Sequence, residues 1–190
     1  MKRRRSERGL SLLEMTVVLV LILALAALSI GGGASLMHEY RLRGAIFHLR
    51  GLVREVRAMA AARSLYAGLV FDEVDGDPIF SVYLDGNGNG IRRSDVRSGT
   101  DPLVRGPLRL SAVFPGVRYG APPAGAELPP LAGLRIGPSH ILSFSPTGTS
   151  TSGTIFLSNQ YRTVYGVIVL GSTGRTRVGR YRGERWEPLL

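Results

Sequence analysis

"ERGLSLLEM", residues 7 to 15, joins a charged leader to an apolar segment and sets the organisation of the whole chain. The apolar residues begin at Leu10, yet Glu14 lies inside them. From Met15 to Ile30 the sixteen residues carry no charge, and from Leu10 the stretch is twenty-one residues with Glu14 as its only ionisable group. Because an ionisable side chain in an apolar span costs about 3 kcal/mol, it ordinarily has a partner.

Residues 10–30 have the length of a membrane-spanning helix. A helix rises about 1.5 Å per residue, so this stretch covers roughly 30 Å, the thickness of a hydrocarbon core. The leader, residues 1–9, carries five basic residues against Glu7, which places it in the cytoplasm and the rest on the other side. Three alternatives remain open: a cleavable secretory signal with its site in "ALAALSIGGGAS", a simple anchor, or a span in which Glu14 has a function.

The residues "RGLSLLEM" resemble the processing site of type IV prepilins and type II secretion pseudopilins. The resemblance implies that a prepilin peptidase cuts between Gly9 and Leu10, that Leu10 becomes an N-methylated amino terminus, and that the apolar helix is retained. It also implies that Glu14, the fifth mature residue, pairs with the new α-amine of a neighbouring subunit during filament assembly. The family usually has phenylalanine where this chain has Leu10.

A second helical pattern follows the apolar segment. Three consecutive glycines, residues 31–33, predict a bend or a melted turn, because each weakens a helix by about 1 kcal/mol relative to alanine. Apolar residues then recur every three or four positions from Leu42 to Ala60, which predicts that residues 31–65 form an amphipathic helix docked on a globular head. The stripe consists of Leu42, Ile46, Leu49, Val53, Val56 and Ala60. Off the stripe lie four arginines, for which a solvated face is favoured over an anion site: Arg43, Arg50, Arg54 and Arg57.

From Tyr66 onward the pattern is typical of β-strands. "GLVFDEV" and "PIFSVYLD" are separated by Asp75, Gly76 and Asp77 and predict a hairpin. Further strands are predicted at "LRLSAVF", "HILSFS", "GTIFLS", "TVYGVIVL" and "TRVGRY", and a surface loop at residues 120–138. The predicted fold is α+β, with a long N-terminal helix, half transmembrane and half amphipathic, packed on an antiparallel β-sheet or β-sandwich head. Its parts are a leader (1–9), a transmembrane helix (10–30), an amphipathic continuation (31–65) and the head (66–190).

"DGNGNG", residues 85–90, matches the first half of a calcium-binding loop. Asp85, Asn87 and Asn89 occupy the oxygen-bearing positions 1, 3 and 5. The second half does not match, since Arg93 stands at position 9 and Val96 at position 12. A Gly/Asn turn is therefore favoured over a metal site. "LDGNGNG" also resembles a recurrent segment of the GspH/FimT branch of the pseudopilin and minor pilin family.

The C-terminal stretch "VIVLGSTGRTRVGRY", residues 167–181, resembles the ending of the same branch. There an apolar strand leads through a turn into glycine, arginine, any residue and arginine, and the matching motif of FimT-like minor pilins is associated with DNA capture. On a strand Arg175 and Arg177 project to one face, and with Arg180 and Arg182 they are the candidate DNA-binding residues. The alternative is a solvated edge strand whose charged side chains prevent aggregation with other chains.

Composition limits the other functions. The net charge of +10 favours anionic partners such as phospholipid or nucleic acid. The sequence has no cysteine, which excludes disulfides, and His38, His48 and His140 have no metal-binding spacing. We expect no enzyme activity and no cofactor.

The expected function is that of a minor pseudopilin, a structural subunit of a type II secretion pseudopilus that assembles through its N-terminal helix. The alternative is a minor type IV pilin whose C-terminal arginines bind DNA for uptake. The implied partners are other pilins or pseudopilins, the prepilin peptidase and the inner membrane. The implied location is the bacterial inner membrane, with a single span and a periplasmic head, and the filament tip after assembly.

Overall fold

The structure is a computed structural model that describes residues 11–120, 131–159, 163–182 and 185–189, with the backbone alone for residues 28–35. The predicted cleavage site, Gly9 and Leu10, lies outside the described residues, as do residues 121–130 of the predicted loop. The chain divides into two compact units, Met1–Met37 and His38–Leu190.

Helix α1 (Leu12–Arg63) contributes to both units. Its backbone is helical through residues 31–33, so the prediction of a melted turn at the three glycines is wrong. The physical reason is cooperativity. Once a helix has been nucleated, each further residue gains a hydrogen bond as it joins the helix, so even a poor helix former such as glycine can be helical.

In the first unit, every described side chain of α1 up to residue 27 is exposed. Leu12 is 83% exposed and Leu25 is 65% exposed. Helices with the combined length and hydropathy of a membrane span are absent from the described residues. The transmembrane assignment of residues 10–30 includes Leu10 and the side chains of residues 28–30, which are not described, and it stays a prediction.

The described residues of the second unit form ten strands and one short helix besides the end of α1. In chain order they are β1 (Ala67–Val74), β2 (Asp77–Leu84), α2 (Arg93–Ser98), β3 (Leu103–Arg109), β4 (Val117–Tyr119), β5 (Leu134–Arg135), β6 (Ile141–Phe144), β7 (Gly153–Asn159), β8 (Val164–Leu170), β9 (Arg175–Arg182) and β10 (Arg185–Pro188). All strand pairs are antiparallel. One sheet has the order β3-β2-β1-β6, and the other has the order β10-β9-β8-β7-β4 with β5 beside β7.

The predicted amphipathic stripe packs on the sheets. All six of its members are 0% exposed and share one core with buried residues of both sheets, such as Phe71, Phe80, Phe144 and Tyr165. This burial is favourable because apolar surface removed from water contributes about 25 cal/mol per Å². The α+β class, the antiparallel sheets and the helix packed on a sheet are therefore confirmed.

The predicted hairpin β1–β2 is formed, but Asp77, which was predicted in the turn, is the first residue of β2. Asp75 and Gly76 are its two loop residues, with φ of 54° and 75°, and Val74 pairs with Asp77. Positive φ at both positions is the signature of a type I′ turn, which matches the twist of the flanking strands.

Other predicted strands are corrected in part. "LRLSAVF" is strand only at Leu108 and Arg109, because the chain turns at residues 111–113, where the Phe114 amide donates to the Leu110 carbonyl at 2.8 Å. The predicted loop 120–138 contains β5, which pairs with β7. Neither α2 nor the short strands β4 and β10 were predicted from the sequence.

Candidate functional site

A groove lined by arginines lies between helix α1 and the start of strand β9. Its volume is about 300 Å³, at the lower end of the range of small-molecule sites. Among the described residues, six line this arginine groove: Arg54, Arg57, Gly174, Arg175, Thr176 and Arg177. The structure therefore brings two of the predicted C-terminal arginines together with two arginines of the amphipathic helix.

The turn between β8 and β9 positions the C-terminal side of the groove. β8 ends at Leu170, whose carbonyl accepts the Gly174 amide at 2.7 Å, and β9 begins at Arg175. Gly174 has a φ of 59°, and a Cβ there would lie 2.7 Å from the Gly148 carbonyl oxygen and 3.0 Å from Arg57 Nε. The glycine is thus required both by the backbone conformation and by the close approach of the Gly148 carbonyl oxygen.

Arg175 and Arg177 are exposed, and Val178 beside them is fully buried in the core. Alternation along the strand accounts for this arrangement, since Arg175 and Arg177 share one face and Val178 points to the other. The prediction that these two arginines project together is confirmed. Within the described parts of the chain, no acidic side chain forms an ion pair with any of the four groove arginines.

Arg180 has a different environment from Arg175 and Arg177. Its Nη1 lies 3.1 Å from Glu39 Oε1 on α1, and its guanidinium lies 5.9 Å from the centre of the Tyr165 ring. The fully buried Tyr165 donates its hydroxyl hydrogen to Glu39 Oε1 at 3.1 Å and accepts from Arg43 Nε at 3.0 Å. Arg180 therefore belongs to a partly buried polar network around Tyr165 and not to the arginine groove.

The pKa values of Tyr165 and Arg43 are both shifted by their surroundings in this network. Burial raises the pKa of Tyr165, although the hydrogen bond from Arg43 acts in the opposite direction. The same hydrogen bond raises the pKa of Arg43.

Arg182, the last predicted arginine, is exposed at the end of β9 and pairs in register with Arg185.

The loop "DGNGNG" is a turn built around one buried carboxylate. Asp85, 2% exposed, accepts the amides of Asn87 and Gly88 at Oδ1 and that of Gly90 at Oδ2. Asn87 and Asn89 both donate through Nδ2 to Asp95 Oδ2, and these bonds, that of Asn89 first, lower the pKa of Asp95. The hydrogen bonds favour the turn interpretation, because they use the oxygens of Asp85 that a cation would need.

Glu14 lies in the first turn of α1 and is exposed. Its amide donates to Ser11 Oγ at 3.2 Å, which makes Ser11 an N-cap and Glu14 the residue three positions later. A carboxylate there is also favoured by the helix dipole. Sequence reasoning missed this cap, although the spacing Ser-x-x-Glu is its signature.

The histidines lie apart from the groove. The His48 ring centroid is 5.8 Å from that of Phe114, and His140 has a φ of 50° at the start of β6. Clusters of three or more possible metal-binding side chains are absent from the described ranges.

The two helix arginines of the groove, Arg54 and Arg57, were assigned to a solvated face from the sequence. Their i, i+3 spacing places them on one side of the helix, but only the fold shows that β9 lies opposite. The chain has no significant match to any protein family, curated protein or solved structure.

Proposed function

We propose that the chain is a minor pseudopilin, a structural subunit of a type II secretion pseudopilus that assembles through its N-terminal helix. The observation that supports this most comes from the part of α1 in the first unit, where the described apolar side chains from Leu12 to Leu25 are exposed. Exposed apolar surface of this extent marks an interaction site. Within the second unit the apolar stripe of α1 is buried, whereas the apolar side chains from Leu12 to Leu25 are exposed and available to other copies or to lipid.

Glu14 has two compatible roles in this proposal. In a single subunit its position in the first turn stabilises the beginning of the helix. In the filament the same carboxylate pairs with the α-amine that cleavage after Gly9 creates on a neighbouring subunit. Two charges that are each costly in apolar surroundings are tolerated better as a pair.

The test compares Glu14→Ala with Ser11→Ala in cells that assemble the filament. Ser11→Ala removes the hydroxyl that accepts the Glu14 amide but keeps the carboxylate, so it separates capping from pairing. Both variants should be processed, and Glu14→Ala alone should be lost from the sheared filament fraction. Incorporation of Glu14→Ala at the level of the unchanged protein would contradict the proposed pairing.

The arginine groove favours a second candidate function, that of a minor type IV pilin that binds DNA for uptake. Arg175 and Arg177 are exposed and line an open groove. Such residues contact phosphates without reading sequence, and binding falls as salt increases.

A gel-shift experiment at two salt concentrations tests this second candidate. The full-length protein should shift duplex DNA at low salt, and the double variant Arg175→Gln/Arg177→Gln should bind it far more weakly. Equal binding by the double variant, or no binding near physiological salt, would contradict the DNA function and leave the pseudopilin proposal intact.

A further inference from the structure

We infer that Arg54 and Arg57 of helix α1 form one binding site with Arg175 and Arg177 of β9, and that this site holds the phosphodiester backbone of DNA without contacting the bases. This inference rests on the second candidate function above and adds helix α1 as the side of the site opposite β9.

The first argument is charge. Several other arginines of this unit have an acidic partner: Arg93 pairs with Asp72 at 2.7 Å, Arg105 with Glu55 at 2.8 Å and Arg180 with Glu39 at 3.1 Å. The four groove arginines form no such pair with described residues, and none of the described residues that line the groove is acidic. Four like charges around one groove repel each other and attract an anion.

The second argument is the fixed position of Arg57. Its side chain lies against two tight turns, one at Gly148 and one at Gly174, where an added Cβ would be 3.3 Å from Arg57 Nη2 and 3.0 Å from Arg57 Nε. A guanidinium held by packing loses less conformational entropy when it binds a ligand. One turn before Arg54 on the helix, the Nε of Arg50 is buried without a hydrogen-bond partner among the described residues.

The third argument is the spacing of the charges. Arg175 and Arg177 are two residues apart on a strand, so their Cα atoms are about 6.8 Å apart. Arg54 and Arg57 are one turn apart on a helix, about 4.5 Å along its axis. Two pairs of guanidinium groups on opposite sides of a groove suit a linear polyanion, since each group can donate two hydrogen bonds to a phosphate.

The fourth argument is that the described residues lining the groove include no aromatic side chain. Proteins that select single-stranded nucleic acid stack its bases on aromatic rings. A groove with arginines but no such ring contacts the backbone, so binding should be independent of sequence and show no preference for single strands.

The test measures binding of the full-length protein to a short labelled duplex, and to one of its strands, by fluorescence anisotropy. The variants are Arg54→Gln/Arg57→Gln and, as a matched control, Arg97→Gln/Arg109→Gln, which removes the same charge from exposed arginines outside the groove. Thermal unfolding of each variant verifies its folding. If the first pair unfolds, Arg54→Gln alone replaces it, because Arg54 is exposed.

The helix variant should bind about tenfold or more weakly at low salt. Each lost phosphate contact lowers the slope of log K against log salt by about 0.9, so its slope should fall by about 2. The control should stay close to the unchanged protein.

Three outcomes would overturn the inference. If the helix variant binds normally while Arg175→Gln/Arg177→Gln does not, the helix is not part of the site, although the DNA function stands. If the single strand is strongly preferred, the backbone-only mode is wrong. If the unchanged protein binds no DNA, the inference and the DNA function both fail.

Discussion

Glu39 Oε1 on helix α1 accepts a hydrogen bond from the buried Tyr165 hydroxyl at 3.1 Å, which joins the helix to strand β8. Arg43 and Arg180 approach the same pair from the helix and from β9. Because buried polar groups are stable only when they are satisfied, the network fixes the helix against the second sheet. This network gives Arg180 a structural role, whereas Arg175 and Arg177 on the same strand are exposed.

Replacing Tyr165 by Phe should destabilise the protein. The change removes both hydrogen bonds of a hydroxyl on a fully buried residue and leaves Glu39 and Arg43 with fewer partners. The free energy of unfolding should fall by about 1–3 kcal/mol, which urea unfolding measures. An unchanged midpoint would show that the two hydrogen bonds of the Tyr165 hydroxyl contribute nothing to stability.

Tyr119→Phe should have the opposite effect. The Tyr119 hydroxyl is buried and has no hydrogen-bond partner among the described residues, so its removal should be neutral or stabilise by up to about 1 kcal/mol. A loss comparable to that of Tyr165→Phe would show that the hydroxyl has a partner.

The same residue predicts a pH dependence. Burial, reinforced by the nearby Glu73, raises the pKa of Tyr119 well above its usual value. The Tyr119 phenol therefore stays neutral to a higher pH in the folded protein than in the unfolded chain, where it ionises at about pH 10. Its contribution to stability is complete below that pH and is lost as the pH rises toward the folded pKa. Unfolding measured from pH 8 to 11 should show a smaller alkaline loss in Tyr119→Phe than in the unchanged protein.

Gly174→Ala should destabilise the turn beside the groove. The alanine would adopt a φ of 59° and its Cβ would lie 2.7 Å from the Gly148 carbonyl oxygen, which together cost about 1–3 kcal/mol. Gly51→Ala is the control, because no atom of the described residues lies within 4 Å of its added Cβ and a helix gains up to about 1 kcal/mol from this change. Equal effects of the two changes on the melting temperature would contradict this account of Gly174.

Asp85→Asn should destabilise the "DGNGNG" turn. Three amides donate to the Asp85 carboxylate, and the amide group of Asn replaces one accepting oxygen by a donor. The expected loss is about 1–3 kcal/mol, and Asn87→Ala, an exposed change, should lose less. Addition of Ca²⁺ should leave the melting temperature of the unchanged protein the same; a rise would favour a metal site at Asp85, Asn87 and Asn89.

Local patterns predicted the elements that local interactions determine. The Asp75–Gly76 hairpin follows from turn chemistry, and the buried stripe of α1 follows from helical periodicity. The short strands β5 and β10 carry too few residues for a recognisable alternation, and they form because β7 and β9 offer free edges. "LRLSAVF" has strand-like residues, but the turn after Arg109 overrides their propensity.

The same distinction applies to the candidate site. That Arg175 and Arg177 share a face follows from strand alternation, which needs no tertiary information. That Arg180 pairs with Glu39, and that Arg54 and Arg57 line the groove, depends on the packing of α1 on β8 and β9. These contacts join residues more than a hundred positions apart, where sequence spacing carries no signal.

Filament assembly through a retained N-terminal helix is tested most directly by the mass of the mature chain. The measurement is intact-mass and N-terminal peptide mass spectrometry of the protein extracted from the membranes of cells that produce it. We predict a chain that begins at Leu10 and carries one N-methyl group. A terminus at Met1, or one created after Ala34, would contradict prepilin processing and with it the proposed assembly.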